Sequence, residues 1–493
     1  MRRVLLLLAL IAGPAGAAEL QPRAIDALVQ KAMSSWQLPG VAVAVVQGDR
    51  VIVARGFGVR ELGKTDPVSA DTLFHIASTT KAFATAGMAI LVDEKKLQWD
   101  DPVRKHLPAF RLADPCADSM VTLRDIVSHR TGLARHDELW DFQPLSRAEL
   151  LQRIGLVKLD RPFRSAYQYQ NIMFTTAGEV VAAASGSSWE DFVRERLFEP
   201  LGMTRSRTSD GDADADRASA HRFDHKSGQI AVRRTNNYDV IGSAGSLRST
   251  ARDLAQWVRF HLAEGAMDGK RIVSAEALGE TKSPQTVIRL EGPAREENPY
   301  TNLRAYAMGW NVQDYRGELL VSHGGALNYF RAQVALLPKL KAGVVVLSNI
   351  DRGYGAIAIR NQILDLLIGR SDRDWNTHFQ AVEKKAIETG EKRRQEREAK
   401  RRRDTRPSLD LPAYAGVYES SAYGVVTVEK RNGGLALVWG RLNLPLTHYT
   451  FDTFYLTDEE EGVEESVAFR LTNEGEIKSL VFFGEEFVKK QSS

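Results

Sequence analysis

Hydrophobic positions fall into two periods along the chain. Over residues 22–37, Ile25, Leu28, Val29 and Met33 recur at three- and four-residue spacing, which predicts a helix with one apolar face. Residues 41–46 and 51–59 are rich in valine and are separated by Gln47-Gly48-Asp49-Arg50, which predicts a β-hairpin. Helical patterning returns over 79–94, 122–128, 147–155, 188–201 and 250–264. The last of these has Ser249 or Thr250 as a candidate cap and Gly265 as a stop. Strands are predicted over 319–322, 329–337 and 342–348, followed by a closing helix over 357–367. Strands at both ends with helices between them predict one mixed α+β domain, its sheet completed by distant parts of the chain.

The pattern then changes. Residues 371–406 are dominated by Glu, Lys, Arg and Gln, which predicts a solvated, charged helical linker. From 407 to 493 the chain reads as short alternating segments punctuated by Gly, Asn and Asp, a small antiparallel β domain. At the other end, Met1-Arg2-Arg3, an apolar run over 4–12 and small residues through Ala17 and Ala18 have the three parts of a secretory leader. The boundaries expected are 1–18 for the leader, 19–370 for the α+β domain, 371–406 for the linker and 407–493 for the β domain. Cleavage near Ala17 or Ala18 would make the protein periplasmic or secreted, with no integral membrane span. The longest mostly apolar stretch after the leader, residues 82–92, is too short to cross a bilayer and reads as a buried helix.

Composition narrows the function classes. The 493 residues are 43% hydrophobic and 26% charged, which excludes a mainly disordered chain. The net charge of +3 is local: residues 383–406 hold eleven Lys/Arg against six Asp/Glu, and the leader adds two arginines. The remainder is mildly acidic, so no nucleic-acid partner is expected. Cys116 is the only cysteine, which excludes an intrachain disulfide and a multi-thiolate zinc site. His129 and His136 lack the carboxylate spacing of a metal centre, so neither metal nor cofactor is expected. Phosphate-loop, His-Glu-x-x-His and Gly-x-Ser-x-Gly motifs are absent.

Three segments carry chemistry. In Ser78-Thr79-Thr80-Lys81, a helix opened by Ser78 would put Lys81 one turn on and on the same face. There the amine can lower the cost of forming an alkoxide, and the helix N-terminus offers N–H groups to an oxyanion. Alone, the same residues read equally well as a capping serine and a surface lysine. In Tyr169-Gln170-Asn171, a phenol near a lysine can lose its proton below its usual pKa of about 10 and act as general base. Asn171 can donate to a substrate carbonyl and steady the lysine. Tyr300-Thr301-Asn302 repeats the pattern in a Pro- and Glu-rich stretch, where it reads as chance. The third segment is Val321-Ser322-His323-Gly324-Gly325-Ala326, a strand whose glycines let a substrate lie along its edge.

Order, spacing and flanking text resemble the serine β-lactamase and penicillin-binding-protein superfamily, in its class C-like and esterase-like branch. Residues 122–133, 243–254 and Met308-Gly309-Trp310 resemble further segments of that branch, and the match covers about residues 20–370. The resemblance implies an antiparallel sheet flanked by helices, with a helical subdomain. It implies that Ser78 is the acylated nucleophile, with Lys81 and Tyr169 sharing acid/base duty. Asn171, His323, Gly324 and Gly325 would contact substrate, and the backbone N–H groups of Ser78 and Ala326 would form the oxyanion hole. Residues 444–456 resemble the lipocalin-like β domain appended to some members. His323 stands where many relatives carry the lysine of Lys-Thr-Gly, and a neutral imidazole offers less to a substrate carboxylate. The function expected is an exported serine hydrolase acting on an ester, amide or D-amino-acid peptide. The alternatives are a β-lactamase or carboxypeptidase, and a binding or sensor protein with the same fold. Oligomeric state stays open.

Overall fold

The computed structural model describes residues 20–209, 214–458 and 462–491; the leader expected at 1–18 lies outside them. An eight-stranded antiparallel sheet forms the centre of the first domain. Its strands are β1 (Gly40–Gln47), β2 (Arg50–Gly58), β3 (Thr286–Val287), β4 (Arg304–Tyr306), β5 (Asn311–Tyr315), β6 (Glu318–Leu327), β7 (Phe330–Leu337) and β8 (Ala342–Ser348), in the spatial order 2-1-8-7-6-5-4-3. The N-terminal hairpin is thus joined to the C-terminal strands by the β1–β8 ladder, Val41 opposite Ser348 through Gln47 opposite Ala342.

Alternation along β1 explains why both faces are covered. Val41, Val43 and Val45 enter one core with helices α1 (Pro22–Trp36) and α5 (Gly353–Ile368), while Ala42, Ala44 and Val46 enter the other. A strand buried on both faces reads as a continuous apolar run, as residues 41–46 do. The second face carries α2 (Thr80–Asp93), α3 (Asn171–Ser185) and α4 (Ala251–Leu262). The Thr250 side chain caps α4 by accepting from Asp253 N–H, as expected. Helix α2 is buried all round, which is why its sequence lacks a polar face.

The charged linker is helical over α6 (Trp375–Ala399), but it is not wholly solvated. Trp375, Phe379 and Val382 pack into the α1–α5 core, so its first two turns belong to the first domain. Beyond it, residues 416–489 form a closed eight-stranded antiparallel barrel, the architecture expected of a lipocalin-like domain: β9 (Gly416–Ser420), β10 (Gly424–Arg431), β11 (Gly434–Trp439), β12 (Leu442–Thr450), β13 (Thr453–Asp458), β14 (Val463–Leu471), β15 (Ile477–Phe482) and β16 (Glu485–Lys489). The barrel packs on the first domain through Phe142, whose ring stacks on Phe483 at 5.8 Å and whose carbonyl accepts from Arg441 N–H at 2.9 Å. Among the described residues no helix is long and apolar enough to cross a membrane.

Candidate active site

Ser78 lies where the chain leaves a short strand, Phe74–His75, and turns into α2 through a 3-10 turn, Ala77–Thr79. Ala77 has φ +49°, a left-handed backbone unusual for a residue with a Cβ. One tertiary and one local hydrogen bond hold that turn: Ile76 N–H donates to Leu247 O at 3.0 Å and Thr79 Oγ1 to Ile76 O at 2.8 Å. From position 72 to position 91 every residue is buried except Ser78. The fold therefore exposes one hydroxyl through an otherwise closed wall.

One turn along α2, Lys81 is fully buried, with Nζ 3.0 Å from Ser78 Oγ. Nζ also donates to Asn171 Oδ1 at 2.7 Å and to Ala244 O at 2.8 Å. Burial, reinforced by the nearby Arg135 guanidinium and opposed by Asp137, pulls the Lys81 pKa well below that of an ordinary lysine. Asn171 opens α3; its Nδ2 donates to Asp137 Oδ1 at 2.9 Å, so its amide bridges lysine and carboxylate.

Tyr169 stands beside this pair. Lys81 Nζ lies 4.8 Å from the centre of its ring, and a hydrogen bond links its phenol to Ser78. Burial raises the phenol pKa far above its usual value, and the Ser78 bond only partly offsets this. The expected lowering is therefore not seen. The apolar walls penalise a phenolate, and the lysine that was to stabilise it is itself driven towards its neutral form. The second copy of the pattern lies elsewhere: Tyr300 stacks edge-on with Trp375 at 5.8 Å, under Arg316, in the other core.

His323 lies on β6, buried, with Nδ1 2.7 Å from Gly324 O and Nε2 3.0 Å from the Tyr306 phenol. The carbonyl requires Nδ1 to carry the proton, so Nε2 accepts from Tyr306. Burial, with the Lys81 charge nearby, lowers its pKa to about 3. The ring is a neutral dipole at any working pH. Strand β5 pairs with β6 only from Glu318 to Ser322, so on that side the edge from His323 to Leu327 is not covered by β5.

Gly325 has a specific steric reason. A Cβ there would lie 2.2 Å from Ile76 O and 3.1 Å from Ala77 Cβ, inside the turn that presents Ser78. Gly325→Ala is expected to destabilise the fold by about 1–3 kcal/mol. By displacing the turn it should also slow covalent labelling of Ser78 about 100-fold. Thermal melting and fluorophosphonate labelling rates check the two effects separately.

Sequence reasoning missed four contributors. His129, with φ +56°, is buried with its ring 4.2 Å from Tyr169 and 4.4 Å from Tyr306, and its Nδ1 accepts from Gln170 N–H. Tyr306 orients His323, Asp137 holds Asn171, and the Arg135 guanidinium lies 5.1 Å from the Tyr169 ring centre. The resemblance of residues 122–133 and 308–310 pointed near His129 and Tyr306 without marking either. Trp310 and Trp439 are fully buried packing residues.

An accessible serine paired with a buried, deprotonatable lysine, beside an open strand edge, is the apparatus of a serine hydrolase. The chain belongs to the β-lactamase family, whose model matches residues 25–367. A model described as a domain of unknown function, DUF3471, matches residues 400–492. Among curated relatives, the unguisins hydrolase ungD' of Aspergillus campestris is 31% identical over 436 residues, covering 82% of this chain and 78% of the relative. The octameric penicillin-binding protein homologue from Pyrococcus abyssi has a TM-score of 0.62 at 21% identity, covering 95% of this chain and all of that one. A class C β-lactamase from Rhodobacter sphaeroides has a TM-score of 0.56 at 22% identity, covering 70% of this chain and 99% of that one. The protein is a serine hydrolase of this family.

Proposed function

We propose that this chain is an exported hydrolase that works through an acyl-enzyme on Ser78 and acts on esters, amides or D-amino-acid peptides. The observation that carries this reading is the geometry of Lys81. A neutral amine has two N–H bonds, and Asn171 Oδ1 and Ala244 O accept both. Its lone pair is then left facing Ser78 Oγ at 3.0 Å. Burial favours this neutral form, pulling the Lys81 pKa well below that of an ordinary lysine.

The steps follow from those positions. Lys81 Nζ takes the Ser78 hydroxyl proton as Oγ bonds to the substrate carbonyl carbon. The carbonyl oxygen becomes an oxyanion, received by the N–H groups of Ser78 and Ala326. The bond to the leaving group breaks and that group takes a proton from the Lys81 ammonium, with the Tyr169 phenol as relay. Tyr169 acts here as a protonated donor, because its raised pKa disfavours a phenolate. Water then attacks the acyl-enzyme with the same groups in reversed roles, releasing acid and free Ser78.

His323 bears on substrate class. A penicillin carries a carboxylate, and the group on β6 that would meet it is a neutral imidazole already hydrogen-bonded at both nitrogens. Esters and amides without that charge suit the edge better. The leader-like sequence over residues 1–18 supports export. The test is a panel of p-nitrophenyl esters, D-amino-acid p-nitroanilides and a chromogenic cephalosporin. The expected kcat/KM for the best ester or anilide exceeds that for the cephalosporin at least about tenfold, a preference of about 1.4 kcal/mol. The reverse order would favour a β-lactamase.

A further inference from the structure

The barrel reaches into the first domain at one polar contact. Tyr423, between β9 and β10, is buried, and its hydroxyl lies 2.7 Å from His136 Nδ1. The Asp160 carboxylate, 3.5 Å from Nε2, favours the proton there, so Nδ1 accepts from the Tyr423 hydroxyl. Burial raises the Tyr423 pKa, which keeps it a donor. Its own position is fixed within the barrel, where its ring stacks on Trp439 at 5.9 Å and its carbonyl accepts from Trp439 Nε1 at 3.0 Å. His136 has φ +47°, a backbone that a histidine keeps only where its surroundings hold it.

The two neighbours of His136 are the two groups that touch the active site from this loop. Asp137 Oδ1 accepts from Asn171 Nδ2 at 2.9 Å, and Asn171 Oδ1 accepts from Lys81 Nζ at 2.7 Å. Arg135 lies over the Tyr169 ring and bonds Asp137. A displacement of His136 therefore moves Asp137 and Arg135 together. We infer that Tyr423 is a positioning residue for the Ser78–Lys81 pair, acting through His136, Asp137 and Asn171, so that the barrel completes the active site of the first domain. This inference rests on the acyl-enzyme reading of Ser78.

The experiment uses the full chain and two probes, p-nitrophenyl butyrate for turnover and a fluorophosphonate for acylation of Ser78. Tyr423→Phe removes only the hydroxyl. His136→Asn keeps a residue that tolerates the left-handed backbone but shortens the side chain, so it tests the same link from the other side. Each is expected to lower kcat and the acylation rate about tenfold with KM changed less than about twofold, because a small misplacement of a catalytic group acts on the transition state. The double variant should be no slower than the slower single one, since both break one link. Wild-type acylation rates in both single variants would overturn the inference. So would fully additive losses, or a fall in melting temperature with unchanged kcat per folded molecule. If the wild-type chain itself is not acylated at Ser78, the acyl-enzyme reading fails. If it is acylated and Tyr423→Phe is equally fast, only the link through the barrel fails.

Discussion

Replacing Lys81 by arginine is expected to slow acylation of Ser78 by at least about 1000-fold and to abolish the acid limb of its pH profile. The active form in the proposed step is the free amine. Burial lowers the pKa of Lys81 in the folded state, so the amine is unprotonated over a range where an exposed lysine would be charged. Acylation by the wild type should accordingly rise with pH through the Lys81 pKa. It should reach its plateau well below 10.5, the ordinary lysine value. An arginine at the same place stays protonated throughout this range and has no lone pair to offer. Lys81→Met separates chemistry from folding, because it keeps a side chain of similar shape in a site that disfavours charge. Its melting temperature should stay within about 5 °C of wild type while acylation is lost. A rate for Lys81→Arg within tenfold of wild type would show that the lysine does not take the proton.

Ser78→Ala is the second large effect, and its interest lies in its coupling to the first. Turnover of the preferred ester should fall about 10⁴-fold or more, leaving only what the oxyanion donors and binding contribute. Residues that act as one unit are not additive, so Ser78→Ala combined with Lys81→Arg should be no slower than Ser78→Ala alone. Ser78 fills a gap in a buried wall, and alanine fits there without loss of packing, so the melting temperature should hold. A double variant slower than Ser78→Ala by the full factor measured for Lys81→Arg would mean that the two side chains serve different reactions.

The parts of this site that were legible in the sequence depend on local spacing. Ser78 and Lys81 are three residues apart, so one helical turn puts them on the same face, where Nζ lies 3.0 Å from Oγ. Strand β6 was announced by its apolar run and its two glycines, and Thr250 by its place before a periodic helix. Helix α3 was not read, because residues 171–178 are all buried and such a helix has no polar face there to set a period. Two barrel strands carry weak sequence signals of their own. Strand β12 contains Pro445, and β16 is a short segment with three charged residues among its five. Tyr306, His129 and Asp137 reach the site only through tertiary folding, from 51 to 228 residues away from Ser78 in the chain; no spacing rule links them. The protonation of Tyr169 was misjudged because its neighbours were legible and its burial was not.

The central claim is that Ser78 is an activated nucleophile, and intact mass spectrometry after incubation with a fluorophosphonate, followed by peptide mapping, tests it most directly. The expected result is a single adduct, mapped to Ser78, forming on the wild type and absent from Ser78→Ala. A folded wild type that stays unlabelled, or an adduct on another residue that persists in Ser78→Ala, would contradict it.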